Sequence, residues 1–316
     1  MLMAVFDGHG QHGEHCSEYA AFECIELLES HPTALKQNPR DALFTQIVEA
    51  DSRLRKKRDV PSYESGTTAI VCILRPDRIW AACVGDSRAT IEYGSWLAID
   101  LSVDQKPDQP KERERIVESG GFVSEASDAY GPARVWRYSY GLGPGLAMAR
   151  SIGDHAVAEL GVFAEPEITE TEVRPEDRCI LLASDGVWEF MSSQEAISLV
   201  QRFSNDASAA CKALIMEAAW RWKKEEGNYR DDITAIVCFL PAIDKSAASD
   251  TKDTKSKAEF DGDIAGQEAQ NENASEAQPN AAASSNAPVS SNASTKDDSN
   301  DFVRRRLSVA PPAPKR

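Results

Sequence analysis

The apolar positions of this chain fall into two kinds of run. Met1–Phe6, Thr67–Leu74, Ile79–Val84, Ala89–Tyr93, Trp96–Ile99, Ile168–Val173, Cys179–Ala183 and Ile233–Leu240 are continuous stretches of four to eight residues, bounded by Gly, Pro, Asp or Ser. That length with those flanks predicts strands. Other segments carry a helical period. Glu14–Ser30 has it through Tyr19, Phe22, Cys24, Ile25, Leu27 and Leu28, and Arg40–Leu54 through Leu43, Phe44, Ile47 and Val48. Pro110–Ser119 reads as a short charged helix stopped by Gly120-Gly121. Ser192-Ser193-Gln194-Glu195 has the form of a capping box opening a helix through Val200, and a further helix is predicted from Ala207 to about Lys224.

The four strands between Thr67 and Ile99, separated by Arg75-Pro76-Asp77, Gly85-Asp86-Ser87 and Gly94-Ser95, predict an antiparallel meander. The order is strand, helices, many strands, helices, strand. Without a regular βαβ alternation, the fold class is α+β in antiparallel layers. Ser124–Gly145, rich in Gly, Ser and Tyr, reads as a long surface excursion.

Composition changes the picture at Pro241. All six tryptophans and all seven cysteines precede it, while 241–316 is mostly Ala, Ser, Asn, Asp and Lys with Phe260 and Phe302 as its aromatic residues. Such a segment has too little to bury to offset its ordering entropy, so the expected organisation is a folded domain over 1–240 and a disordered tail over 241–316. The formal charge of −16 lies mainly in the domain, because the tail holds 12 acids against 10 bases. An acidic domain disfavours nucleic acid and anionic membrane as partners and suits a cation site. The cysteines are odd in number, dispersed and without a Cys-x-x-Cys pair, which fits small buried hydrophobes in a reducing compartment. No run nears the ~18 apolar residues of a membrane span. A monomer in the cytoplasm, with the nucleus as a further location, is expected.

The chemistry lies in the aspartates. Asp7, Asp86, Asp185 and Asp231-Asp232 each stand beside glycine or another turn former next to an apolar run. Strand ends deliver such residues to one edge of a sheet, and converging carboxylates need a cation. His9, His12 and His15, with Glu14 and Cys16, have a spacing that could serve zinc, but Gly10 and Gly13 interrupt the segment and no second Cys or His cluster completes a tetrahedron.

Six blocks in order, Phe6-Asp7-Gly8-His9-Gly10, Ser65-Gly66-Thr67-Thr68-Ala69, Val84-Gly85-Asp86-Ser87-Arg88-Ala89, Leu146–Asp154, Leu182–Trp188 and Asp231-Asp232-Ile233-Thr234, resemble the metal-dependent type 2C serine/threonine protein phosphatases. The resemblance covers residues 1 to about 240. It implies an α-β-β-α sandwich of two antiparallel sheets flanked by helices. It also implies two Mg²⁺ or Mn²⁺ ions held by Asp7, the Gly8 carbonyl, Asp185 and Asp231, with a metal-bridging hydroxide attacking the phosphorus of phosphoserine or phosphothreonine on a protein substrate, in signalling by dephosphorylation. His9 takes the place of the general acid for the leaving oxygen. Asp86 and Glu189 stand where the family has carboxylates for a weaker third ion, Glu189 in place of the more usual Asp. Asp232 replaces the usual Asn. Asp154 and Asp104 are read as structural, holding loops, and Arg88, Arg150 and Trp188 as packing residues.

The family normally has further strands before the Phe-Asp-Gly-His block, bearing a phosphate-anchoring arginine, and the chain is therefore expected to be a truncated form of an active enzyme. The alternative is a catalytically impaired phosphatase-like binding or regulatory module. In the tail, Arg304-Arg305-Arg306-Leu307-Ser308 resembles a site for a basophilic kinase acting on Ser308.

Overall fold

In the computed structural model the described residues are 1–240 apart from 95, 128–130, 139–144 and 204–205. The expectations of a disordered tail and of a kinase site at Ser308 fall on 241–316 and lie outside the described residues. The strands, in order, are β1 (Leu2–Val5), β2 (Gly8–Gly10), β3 (Ser65–Thr67), β4 (Ala69–Leu74), β5 (Arg78–Val84), β6 (Arg88–Tyr93), β7 (Leu97–Asp100), β8 (Phe122–Val123), β9 (Val135–Trp136), β10 (Ile152–Gly153), β11 (Glu167–Glu172), β12 (Cys179–Ala183) and β13 (Ala235–Phe239). The helices are α1 (Gly13–Ser30), α2 (Pro32–Gln37), α3 (Pro39–Lys56), α4 (Pro110–Glu118), α5 (Asp185–Trp188), α6 (Ser193–Val200) and α7 (Ala207–Glu226).

Two four-stranded antiparallel sheets, β1-β4-β5-β11 and β13-β12-β6-β7, face each other. The inner strands β4, β5 and β12 are continuous apolar runs because both faces are covered, whereas the edge strand β11, Glu-Ile-Thr-Glu-Thr-Glu, alternates. In β4, Ile70 and Cys72 enter the layer between the sheets, while Ala69, Val71 and Ile73 pack under Leu27, Leu28, Leu43 and Ile47 of α1 and α3. In β12, Ile180 and Leu182 join the inter-sheet layer, and Cys179, Leu181 and Ala183 meet Ile197 and Val200 of α6 and Leu214 of α7. Each such side chain, fully buried, contributes ~1.5–3 kcal/mol. The result is the expected α-β-β-α sandwich.

Three details differ from the expectations. The run Thr67–Leu74 is two strands, since β3 pairs with β2 and β10 in a separate small sheet and the chain breaks at Thr68. The four predicted strands are two hairpins in opposite sheets: β4 pairs with β5 and β6 with β7, and Gly85-Asp86-Ser87 crosses from one sheet to the other. Finally, α1 buries its small residues Cys16, Ala20 and Cys24 with Leu27 and Leu28, leaving Phe22 65% and Ile25 37% exposed. Small side chains let a helix sit close to the sheet. The capping box at the start of α6 is present as predicted, Ser192 Oγ accepting from Glu195 N–H and Glu195 Oε2 accepting from Ser192 N–H.

Candidate active site

Separate chain segments bring carboxyl groups together. Asp7 follows β1; its N–H donates to Thr68 Oγ1 (3.1 Å) and its carbonyl accepts from Thr68 N–H (2.9 Å). The Thr68 hydroxyl also meets Ser87 Oγ at 2.7 Å, so the Asp7 backbone is fastened to the crossing that carries Asp86. Asp185 opens α5 directly after β12, and Asp231 precedes β13, the strand paired with β12. The last two are drawn together by backbone contact. A Cβ on Gly186 would stand 2.1 Å from the Asp232 carbonyl oxygen, so glycine is needed there for the 231–232 segment to close on α5. Ser184 completes the join, its hydroxyl donating to the Asp232 carbonyl (3.1 Å) and accepting from Thr234 N–H (3.1 Å). Trp222 of α7 donates to the Gly186 carbonyl (2.7 Å) and its ring meets Phe190 and Tyr229 edge to face.

The charges of these groups are not independent. Burial raises the Asp185 carboxyl to about 9, helped by Asp86, Asp7 and Asp231 and opposed by Lys106. Burial likewise raises Asp7 to about 6, with Asp231 and Asp86 adding to it and a hydrogen bond to Asp185 working against it. Metal-free, the two carboxyls share a proton because like charges at this depth cannot both ionise. Asp86, 2% exposed, has a fixed partner: Lys106 Nζ lies 2.5 Å from its Oδ2.

His9, in β2, points Nε2 at Asp154 Oδ2 (2.5 Å), and Ser151 Oγ donates to the same oxygen (2.6 Å). Burial would lower the imidazole, but Asp154, then Asp86 and Asp7, outweigh it and hold it above its ordinary value. Its Nδ1 is buried and has no hydrogen-bond partner among the described residues. Asp154 thus does more than hold its own loop. It sits at a left-handed φ of +46°, uncommon for a residue other than glycine, with its N–H on the Ser65 carbonyl (2.9 Å). The loop is tied down by Asp51 of α3, which accepts from Gly153 N–H (2.8 Å) and contacts His155 Nε2 (3.0 Å).

The remaining expected residues are dispersed. The Gly8 backbone pairs with Thr67 across β2 and β3, and Glu189 is exposed at the end of α5. Asp232 is exposed, with its N–H donating to Asp231 Oδ1 (2.8 Å). Arg88 grips Asp104 with two bonds (2.9 and 2.7 Å) and lies over the Trp188 ring, as a packing residue would. Lys106, Ser151 and Asp51 are contributors that motif reading did not single out.

Among the described residues no three His, Cys, Asp or Glu side chains are already set round one point as a metal cage. The donor set nevertheless fits Mg²⁺ or Mn²⁺. It is all oxygen, burial aided by neighbouring carboxylates holds the Asp7 and Asp185 carboxyls above their ordinary range, and the buried His9 Nδ1 has no hydrogen-bond partner among the described residues.

Comparison with known proteins identifies the family. Residues 1–226 match the family described as Protein phosphatase 2C, a match that ends just before Asp231. Probable protein phosphatase 2C 34 of Arabidopsis thaliana is 35% identical over 273 residues, spanning 78% of this chain and 74% of that protein. Probable protein phosphatase 2C 73 of the same plant is 39% identical over 272 residues, spanning 76% and 70%. The crystal structure of a serine-threonine phosphatase 2C from Toxoplasma gondii shares the fold with a TM-score of 0.66 at 22% identity, covering 76% of this chain and 84% of that one. With a family match and relatives of this extent, the chain belongs to the protein phosphatase 2C family, whose members are metal-dependent protein serine/threonine phosphatases.

Proposed function

We propose that this chain hydrolyses phosphoserine and phosphothreonine on protein substrates, with two Mg²⁺ or Mn²⁺ ions held by Asp7, the Gly8 carbonyl, Asp185 and Asp231. The observation that carries the reading is a set of carboxyls delivered by separate segments, in which burial first, and neighbouring carboxylates second, hold Asp7 and Asp185 above the ordinary carboxyl range. Bound there, such ions would neutralise a phosphoryl group and provide a water-derived nucleophile at neutral pH.

The chain's own residues do the rest. Asp7 and Asp185, held above the ordinary carboxyl range by burial, would have to lose their protons for a cation to bind them. His9 holds the proton needed by the departing serine or threonine oxygen, because the Asp154 carboxylate on Nε2 favours the charged ring, and its buried Nδ1 has no hydrogen-bond partner among the described residues. Ser151 and the backbone of Ser65 keep Asp154 in place for this.

The test is phosphate release from a phosphoserine peptide by the 316-residue chain. Release is expected to need Mn²⁺ or Mg²⁺, to stop on chelation and return on adding metal, and to fall to the blank rate in Asp185→Asn. Release that persists in excess EDTA would sink the proposal.

A further inference from the structure

Two charged triplets cross each other beside the acidic site. Asp86-Ser87-Arg88 lies at the passage from β5 to β6, and Asp104-Gln105-Lys106 follows β7. Their ends pair in opposite sense: Lys106 Nζ with Asp86 Oδ2 at 2.5 Å, and Arg88 with both oxygens of Asp104 at 2.9 and 2.7 Å. The middle residue rivets the two segments together. Gly85 N–H donates to Gln105 Oε1 (2.7 Å), Gln105 Nε2 donates to the Cys83 carbonyl (3.1 Å), and Gln105 N–H donates to the Gly85 carbonyl (2.9 Å). With Gln105 locked on three atoms, Lys106 is aimed at Asp86 by the backbone and not by chance of a flexible stem. The side chain of Asp86 is 3% exposed and that of Lys106 27%.

We propose that Lys106 is the built-in counter-cation of Asp86, so that Asp86 positions the acidic cleft and does not ligate a third metal ion. An ammonium already neutralises this buried carboxylate, and a divalent ion taking the same oxygens would have to displace it against like-charge repulsion. Glu189, the other candidate for a third ion, is exposed, whereas Asp86 is buried against Lys106. Lys106 is a positioning residue in this scheme: it acts through Asp86 on the Asp185 and Asp7 neighbourhood.

The inference rests on the metal-phosphatase reading, and counting ions separates the two. Equilibrium dialysis of the full 316-residue chain against Mn²⁺ is expected to find about two ions per chain. The double variant Asp86→Asn/Lys106→Gln, which keeps the pair neutral and similar in size, is expected to bind the same number. Lys106→Gln alone, leaving a buried carboxylate without a cation, is expected to bind one more, and Lys106→Arg to return to the wild-type count. One ion fewer in the double variant overturns the assignment, as does a folded Lys106→Gln that binds no more than wild type. Should Lys106→Gln not fold, the neutral double variant decides alone. A wild-type chain that binds no Mn²⁺ overturns the metal reading and this inference with it.

Discussion

At the scale of single residues the informative contact is His9 with Asp154. A proton held on the imidazole matters only when the leaving oxygen needs it. His9→Ala is therefore expected to slow release from a phosphoserine peptide by about 10²-fold or more while slowing p-nitrophenyl phosphate, whose leaving group departs as a stable anion, far less. Equal losses on both substrates would assign His9 to folding or binding. Asp154→Asn removes the first cause that holds the imidazole above its ordinary value. The ring then loses its proton at lower pH, so the alkaline limb of the pH–rate profile is expected to move to lower pH, with phosphopeptide as substrate. Gly66 makes the contact sterically possible, since a Cβ there would stand 2.3 Å from Asp154 Oδ2. Gly66→Ala should reproduce the phenotype of Asp154→Asn. Motif reading puts Asp154 among structural loop residues because its partner lies 145 positions away, a distance no local pattern reports.

At the scale of elements, the four-residue helix α5 sets two aspartates of the proposed metal site through Gly186, the residue after Asp185. The Gly186 contact with the Asp232 carbonyl leaves no room for a methyl group. Gly186→Ala is expected to lower stability by about 1–3 kcal/mol, as overpacking does, and to raise the Mn²⁺ concentration needed for half-maximal activity because the 231–232 segment moves outward. Unchanged metal dependence with reduced stability would separate α5 from the site. The strands were legible because burial on both faces leaves unbroken apolar runs, as in Cys179–Ala183, and α6 was legible from its capping box. The break at Thr68 was not, since β3 and β4 read as one apolar run and only the hydrogen bond to Asp7 divides them. The packing face of α1 was misjudged for a related reason. Periodicity points to the largest side chains, whereas close approach to the sheet selected Cys16, Ala20 and Cys24 and turned Phe22 outward. Lys106 was invisible because its meaning depends on Gln105 meeting the Gly85 turn from another part of the chain.

At the scale of the whole molecule, acidity and metal affinity are linked to folding. In the metal-free chain Asp7 and Asp185 have folded values of about 6 and about 9, above the ordinary range near 3.9 expected once unfolded. Below that range both states carry the protons and the site makes no difference. Between it and the folded values the folded chain binds more protons than the unfolded one, so stability falls as pH rises. The melting temperature in EDTA is accordingly expected to drop between pH 5 and pH 8. Mn²⁺ should reverse the trend, since the ion binds deprotonated ligands in the folded chain and adds about 2.7 kcal/mol at 100 times its dissociation constant. The same linkage requires proton release on binding near pH 7, read in a titration calorimeter as a heat that scales with the ionisation enthalpy of the buffer. A metal-free melting temperature that climbs across this interval, or a binding heat indifferent to buffer, would mean that the carboxyls do not share protons and that their convergence is weaker than their burial implies.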